Sequence, residues 1–153
     1  MDAQGTTFAA DCRKMARSCT CFRLRRAARA VTQHFDAALA PSGLRVTQLA
    51  VLVGVSVRGP IPLSELADDL GMDRTTLTRN LKPLLAADLL AVASGPDRRY
   101  REVDLTSAGK RALSGAVPLW RQAQRAVVSS LGEETWRTMM GSLSAAIDAV
   151  AAL

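Results

Sequence analysis

Residues 63–105 constrain the fold of this chain more than any other stretch. The stretch begins with apolar residues at helical spacing, and Gly71 then interrupts the pattern. Asp73 is placed to cap a second helix. The inward side of that helix is predicted to consist of Leu77, Leu81, Leu84 and Leu85. Two short helices separated by a glycine turn predict a helix-turn-helix unit.

A β-hairpin is predicted directly after this unit. Residues 89–94 and 100–105 alternate in polarity, and the Gly-Pro-Asp-Arg-Arg segment at 95–99 is typical of a turn between strands. Residues 60–62, with two prolines, predict an edge strand that can pair with the hairpin. Together these elements predict a winged helix, whose second helix can enter a major groove of DNA while the hairpin reaches the neighbouring backbone or minor groove.

The remaining residues predict long helices. Residues 12–39 carry apolar side chains mostly three or four apart and predict one helix. Thr47 is expected to cap the next helix, and Thr106 a later one that runs to about Ser130 and bends at Pro118.

The C-terminal residues predict a helix with one apolar seam, spaced alternately by four and three: Trp136, Met140, Leu143, Ile147 and Val150. Such a seam needs a partner, and a helical layer shared between two subunits would supply one. We therefore expect a mainly α protein with a small β-wing, built as a winged helix-turn-helix plus a helical dimerisation layer.

Length and composition narrow the classes of protein. The 153 residues, 48% of them hydrophobic, suggest a single domain over 1–153. No apolar run approaches the roughly 18 residues of a membrane span, and the first ten residues lack the features of a signal peptide, so we expect a cytoplasmic protein without a membrane partner. The formal charge of +6 favours a polyanionic partner. Because the three cysteines are an odd number, we expect free thiols.

Three segments resemble the MarR family of bacterial transcriptional regulators: SGLRVTQLAVL, LSELADDLGMDRTTLTRNLKPLLAADLL and GPDRRYREVDLTSAGKRAL. The last contains Asp97-Arg98-Arg99 followed by Leu105-Thr106 and Gly109, which is similar to the family's wing motif. The resemblance implies a homodimer that binds a pseudo-palindromic DNA site, with 12–40 and 107–153 as dimerisation helices and 47–105 as the DNA-binding region. It also implies repression by occlusion, with release by a small phenolic or aromatic ligand or by cysteine oxidation.

The expected DNA contacts lie on the second helix of the helix-turn-helix, on the helix before it and in the wing. They are Ser64, Arg74, Thr75, Thr76, Thr78, Arg79, Lys82, Arg98, Arg99 and Arg101. Residues near a helix N-terminus reach base edges most easily, so we expect Thr75, Thr76 and Arg79 to contact bases. We expect Lys82 and Ser64 to contact phosphates. By resemblance Arg99 would enter the minor groove, with Arg98 and Arg101 on phosphates.

The alternative for these cations is ordinary solvated charge. A second basic cluster, at residues 13–29, could be a further DNA contact, but the solvated face of a long helix is the interpretation we favour there.

Two release mechanisms remain open. A ligand pocket would use Phe22, Arg26, His34, Phe35 and Trp120, although periodicity places the three aromatic residues among core positions. A thiol switch would use Cys19 and Cys21, with Cys12 nearby. Peroxide-sensing family members support such a cysteine with tyrosines, whereas the only tyrosine here is Tyr100.

Enzymatic activity is not expected, because the sequence has neither a Gly-rich phosphate loop nor an evident nucleophile beside its one histidine. We expect no cofactor and no metal, since Cys19 and Cys21 with His34 do not make a four-ligand set. The competing class is a winged helix that binds proteins and has lost DNA binding.

Overall fold

The computed structural model describes residues 3–94 and 101–152. Within these residues the chain is mostly helical, with one small sheet. The helices are α1 (Ala3–Ser18), α2 (Thr20–Leu39), α3 (Val46–Arg58), α4 (Leu63–Asp69), α5 (Arg74–Ala86), α6 (Ser107–Leu131) and α7 (Glu133–Ala151). The strands are β1 (Ile61–Pro62), β2 (Leu90–Ser94) and β3 (Arg101–Leu105). The chain forms two compact units, residues 1–34 and residues 35–153.

The first unit consists of α1 and most of α2. The sequence predicted one helix from residue 12, but helical structure begins at Ala3 and is divided at Cys19. Helical hydrogen bonding continues across the division, because the Cys19 amide donates to the Met15 carbonyl at 2.9 Å and the Arg23 amide to the Cys19 carbonyl at 3.1 Å. The helical prediction is therefore confirmed, whereas the predicted start at residue 12 and the prediction of a single element were wrong.

The core of the second unit lies between α3, α4, α5 and the sheet. Its largest fully buried side chains are Leu39, Leu52, Ile61, Leu66, Leu77, Leu84, Val51, Val55 and Val103. The predicted inward leucines of α5 are confirmed except Leu85, which is 38% exposed. Val53 and Val57 of α3 are exposed, because α3 buries its other side through Val51 and Val55.

The start of α3 is set by a contact that is distant in sequence. The predicted cap at Thr47 is wrong, because the N-cap residue is Arg45. The Val46 amide donates to Asp36 Oδ1 at 2.7 Å, and the Arg45 amide donates to Gln48 Oε1 at 2.8 Å. A carboxylate from the end of α2 thus satisfies an amide at the start of α3.

The sheet confirms the predicted wing and its edge strand. The strand order is β1-β3-β2, and both pairings are antiparallel. Ile61 and Val92 both pair with Val103, so the buried Val103 joins the edge strand to the hairpin. The predicted turn at 95–99 lies outside the described residues.

The sheet and α6 meet at a closely packed junction. The Thr106 side chain caps α6, as predicted, by accepting a hydrogen bond from the Gly109 amide at 2.9 Å, and it donates to the Asp88 carbonyl at 2.6 Å. The Thr106 amide donates to the Leu89 carbonyl at 3.2 Å. Gly109 is buried, and a Cβ there would overlap the Leu89 carbonyl oxygen. Only glycine therefore permits this approach of α6 to the end of α5 and the start of β2.

The last two helices extend beyond this core. α6 continues through Pro118 and ends at Leu131, and the following residue, Gly132, adopts a φ of +81°. None of the 19 residues of α7 is buried. In the described part of the chain no single helix is long and apolar enough to cross a membrane, and only α2 and α3 taken together reach that length and composition.

The junction generates a stability prediction. Gly109→Ala should destabilise the fold by about 1–3 kcal/mol, because the added methyl group must displace backbone at Leu89. Gly115→Ala, in the same helix with open space around it, should stabilise by about 0.5–1 kcal/mol, because alanine favours the helix. Urea unfolding of both variants at one protein concentration measures the difference. Equal stabilities would contradict the tight approach at Gly109.

Candidate nucleic-acid interface

The interface begins with the turn that positions α5. Gly71 adopts a φ of +59°, which a residue with a side chain rarely takes, and the Met72 amide donates to the Ala67 carbonyl at 2.8 Å. Asp73 then caps α5, as predicted, by accepting from the Thr76 amide at 2.8 Å. The turn and the cap together fix where the first exposed residues of α5 lie.

The charge of Asp73 is stabilised by the residues around it. Hydrogen bonds from the Thr76 side chain and amide lower the pKa of the Asp73 carboxyl below its ordinary value, and the Arg79 charge contributes in the same direction. The carboxylate is therefore ionised at neutral pH, and its negative charge interacts favourably with the positive, N-terminal end of the α5 dipole.

The outer side of α5 is polar and basic. Its exposed residues include Arg74, Thr75, Thr78, Arg79 and Lys82. Two of the predicted threonine hydroxyls already donate within the helix: Thr76 Oγ1 to Asp73 Oδ2 at 2.7 Å, and Thr78 Oγ1 to the Arg74 carbonyl at 2.8 Å. In this arrangement Thr76 and Thr78 offer methyl groups and oxygen acceptors to a base, but not their hydroxyl protons.

A cleft beside α5 brings several of the predicted DNA contacts together. Ser64 at the start of α4, Arg74 and Thr78 of α5 and Arg101 of β3 line one open space of about 350 Å³. Two guanidinium groups and a hydroxyl around one cleft suit a phosphate oxygen. Arg98 and Arg99, which the sequence places in the predicted wing turn, lie outside the described residues.

α4 is tied to α3 by an ion pair network that the sequence did not predict. The Arg58 guanidinium, at the end of α3, donates to Glu65 Oε2 at 2.9 Å and to Asp69 Oδ2 at 3.0 Å. Each of these exposed pairs is worth roughly 0.2–1 kcal/mol. The network orients α4, and with it Ser64, relative to the core.

The geometry agrees with the similarities of the chain to known proteins. A family model described as a helix-turn-helix domain matches residues 26–93. No curated protein sequence gave a match. Among solved structures, the chain is 42% identical to the M. tuberculosis transcriptional regulator MosR, crystallised in complex with DNA, with a TM-score of 0.76 over 87% of this chain and 98% of that one. The chain belongs to the MarR family of transcriptional regulators.

Two further structures show the same fold at lower identity. A probable transcriptional regulator from Pseudomonas aeruginosa is 27% identical, with a TM-score of 0.77 over 84% of this chain and 96% of that chain. A MarR-family regulator from Rhodococcus sp. RHA1 is 24% identical, with a TM-score of 0.71 over 80% and 87%. As a MarR-family member the chain is a DNA-binding transcription regulator of the winged-helix type and not an enzyme.

The second unit of this MarR-family chain contains an apolar groove between α3 and α6. It has a volume of about 400 Å³ and is lined by Val46, Leu49, Ala50, Val53, Val117, Trp120 and Arg121. Of the predicted ligand residues only Trp120 lines it; Phe35 is buried in the second unit, while Phe22, Arg26 and His34 are exposed in the first. The core positions suggested for Phe22 and Trp120 are wrong, since they are 57% and 39% exposed.

Arg121 is a groove residue that the sequence did not indicate. The only available signal was its place next to Trp120, and the partner wall on α3 becomes apparent only once the helices pack.

The three cysteines are the candidate residues of the thiol switch. Cys12 and Cys19 are half-buried, Cys21 is exposed, and all three are free thiols. Among the described residues, no group of three His, Cys, Asp or Glu side chains is arranged to hold a metal ion. The thiol switch stays a prediction.

The cap of α5 generates a pH prediction. Asp73→Asn keeps a capping side chain but removes the charge, whereas Asp73→Ala removes both, so stability should fall in the order wild type, Asp73→Asn, Asp73→Ala at pH 7. Because the folded pKa is lowered, the charge stabilises above the ordinary aspartate value near 4, and this advantage disappears as the pH falls through the folded pKa.

Urea midpoints at pH 7 and at a series of values below pH 4 test this. A difference between wild type and Asp73→Asn that stays constant down to the lowest pH would contradict the assigned cause.

Proposed function

We propose that this protein is a homodimeric repressor that binds a pseudo-palindromic operator and releases it when a small aromatic acid or phenol binds. The observation that carries the proposal is the outer side of α5, which presents cations and threonines next to a capped helix start while its inner leucines are buried. A surface of this kind suits insertion into a major groove.

Base recognition is assigned to the first turns of α5. Thr75 and Arg79 are exposed there, and an arginine can bond both O6 and N7 of guanine. Thr76 and Thr78 are assigned methyl contacts with thymine, because their hydroxyl protons are engaged within the helix. The relative MosR, 42% identical to this chain, has been crystallised in complex with DNA, which supports DNA binding by this chain.

Phosphate contacts are assigned around the cleft and in the wing. Ser64, Arg74 and Arg101 line the cleft, and Lys82 lies one helical turn beyond Thr78. Arg98 and Arg99 are proposed to extend the contact from the wing, with Arg99 in the minor groove, on the basis of the family's wing motif.

Dimerisation is assigned to the terminal helices. In α7, Met140 is 42%, Ile147 69% and Val150 66% exposed, along the apolar seam recognised in the sequence. Each large apolar side chain gains about 1.5–3 kcal/mol when it is buried. A second copy of the chain covers this seam in the proposed dimer and places two copies of α5 about one helical turn of DNA apart, roughly 34–36 Å. A dimer over such a site blocks access of other proteins to it.

The groove between α3 and α6 is the proposed effector site. Its walls are apolar, Trp120 offers an aromatic surface, and Arg121 is a cation able to bond a carboxylate. The structural relatives include a Bordetella bronchiseptica protein, BpsR, whose DNA binding is regulated by 6-hydroxynicotinic acid. An effector of similar chemistry, a small aromatic acid, suits this groove.

The DNA assignment predicts two different losses. Arg79→Ala should weaken operator binding by about 1–3 kcal/mol and relax sequence preference, whereas Lys82→Ala should weaken all duplexes alike and reduce the salt slope by about one. Arg137→Ala, an exposed arginine of α7, is the control and should leave affinity unchanged. The measurements are titrations with a duplex selected from genomic fragments and with a scrambled duplex. Unchanged operator affinity in Arg79→Ala would contradict the assignment of base contacts to α5.

The dimer assignment is tested on α7. Ile147→Arg places a charge on the exposed seam and should give monomers that bind operator weakly, because each monomer contacts one half-site. Ala145→Arg, on the opposite side of α7, is the matched control and should remain dimeric. Sedimentation velocity at micromolar concentration separates the two. A wild type that sediments as a monomer would show that the seam has another partner.

The effector assignment is tested with a panel of aromatic carboxylates and uncharged phenols in thermal shift and DNA-release assays. A ligand at one hundred times its Kd stabilises by about 2.7 kcal/mol. Arg121→Gln should reduce the effect of carboxylates more than that of phenols, and Arg125→Gln, outside the groove, should change neither. If no panel compound shifts the melting temperature while peroxide releases DNA only when Cys19 and Cys21 are present, the thiol mechanism replaces the ligand mechanism.

A further inference from the structure

The positive charge of this chain is concentrated in its first unit. Residues 1–34 contain seven lysines and arginines and two aspartates, a formal charge of +5, whereas residues 35–153 contain thirteen basic and twelve acidic residues, a charge of +1. The unit that contains the helix-turn-helix is thus almost neutral as a whole. The charge that would attract a polyanion over a distance comes from α1 and α2.

These basic residues are exposed. The N-terminal basic cluster consists of Arg13, Lys14, Arg17, Arg23, Arg25, Arg26 and Arg29. Within the residues that the structure describes, none of them pairs with a carboxylate, while Arg45, Arg58 and Arg137 of the second unit do. Like charges at Arg13 and Arg17, and at Arg25 and Arg29, are one helical turn apart and repel each other. The cluster is therefore unfavourable by itself and is relieved by an anionic partner.

The cluster is also held together across the division at Cys19. The Arg23 guanidinium donates to the Arg17 carbonyl through Nε at 3.3 Å and Nη2 at 3.1 Å, which joins the last turn of α1 to the first turns of α2. By helical rise, the cations of α1 span about 6 Å and those of α2 about 9 Å. Duplex DNA carries one phosphate per about 3.4 Å of axis on each strand, so the length of either set is comparable with the separation of neighbouring phosphates.

We propose that the N-terminal basic cluster is a second, sequence-independent contact with the phosphates of duplex DNA, separate from α5 and the wing. This inference rests on the proposed DNA binding. Six of the seven cations are arginines, whose planar guanidinium bonds phosphate oxygens in pairs. In α1 the cations Arg13, Lys14 and Arg17 lie opposite the apolar side that contains Phe8 and Met15. An amphipathic helix of this kind also suits an anionic membrane surface. Duplex DNA is favoured here because the chain belongs to a family of DNA-binding regulators.

The test is the salt dependence of binding by the full chain. Arg13→Gln/Lys14→Gln/Arg17→Gln is compared with Arg111→Gln/Arg125→Gln/Arg137→Gln, which removes the same charge from α6 and α7. Removing three phosphate contacts should reduce the slope of log K against log salt by about 2.7 on operator and scrambled duplexes alike. Wild-type affinity should then fall roughly 40-fold further than that of the α1 variant between 50 and 200 mM salt. The control slope should equal that of wild type.

A second variant, Arg25→Gln/Arg29→Gln, tests α2 in case the α1 variant does not fold, and it should reduce the slope by about two. Wild-type slopes in a folded N-terminal variant, with operator still bound, would overturn this inference and leave the proposed function intact. Binding to phosphatidylserine vesicles that the variant loses, with DNA slopes unchanged, would overturn it in favour of a membrane partner. A wild type that binds no duplex would overturn both.

Discussion

Burial of one side of α5 determines what its other side can do. Leu77, Leu81 and Leu84 pack into a core shared with α3, α4 and the sheet, and each such side chain contributes about 1.5–3 kcal/mol on burial. A helix held this way cannot rotate about its axis without exposing leucine. Arg79 and Thr75 are therefore kept in solvent, on a rigid element, where a DNA groove can reach them.

Hydrogen bonds at the ends of the helices connect α5 to the rest of the second unit. Asp73 caps the start of α5, and Asp88 and Leu89 follow its end. Thr106, at the start of α6, donates hydrogen bonds to the carbonyls of Asp88 and Leu89. Because Gly109 allows close contact with the Leu89 carbonyl, α6 is fixed to the end of α5. The groove beside α6 and the seam on α7 are thus mechanically connected to α5, as the proposed ligand-controlled dimer requires.

The elements that the sequence predicted well are those whose causes are local. The turn at Gly71, the caps at Asp73 and Thr106 and the alternating strands each depend on residues within a few positions of one another. The start of α3 could not be found in this way, because Asp36 acts on Val46 from ten positions upstream. The helical residues before residue 12 were missed, because Gly5, Thr6 and Thr7 have low helix propensity.

The features that could not be predicted from the sequence depend on packing between helices and strands. Periodicity placed Trp120 among the core positions but could not show that it borders a groove. The groove depends on how α3 packs against α6. In the same way the seam of α7 was evident in the sequence, whereas its exposure in the single chain became visible only in the structure. The residue types of the predicted DNA contacts were evident from the sequence, and the structure adds that Ser64, Arg74 and Arg101 meet at one cleft.

The central claim is that the outer side of α5 touches DNA bases, and photocrosslinking tests it most directly. A duplex selected from genomic fragments and substituted with 5-iododeoxyuridine is bound to the full chain and irradiated, and the attached peptides are identified by mass spectrometry. If α5 contacts the bases, crosslinks fall within Arg74–Ala86, at the turns that contain Thr75 and Arg79. A bound duplex that crosslinks efficiently but only to other segments would contradict this claim.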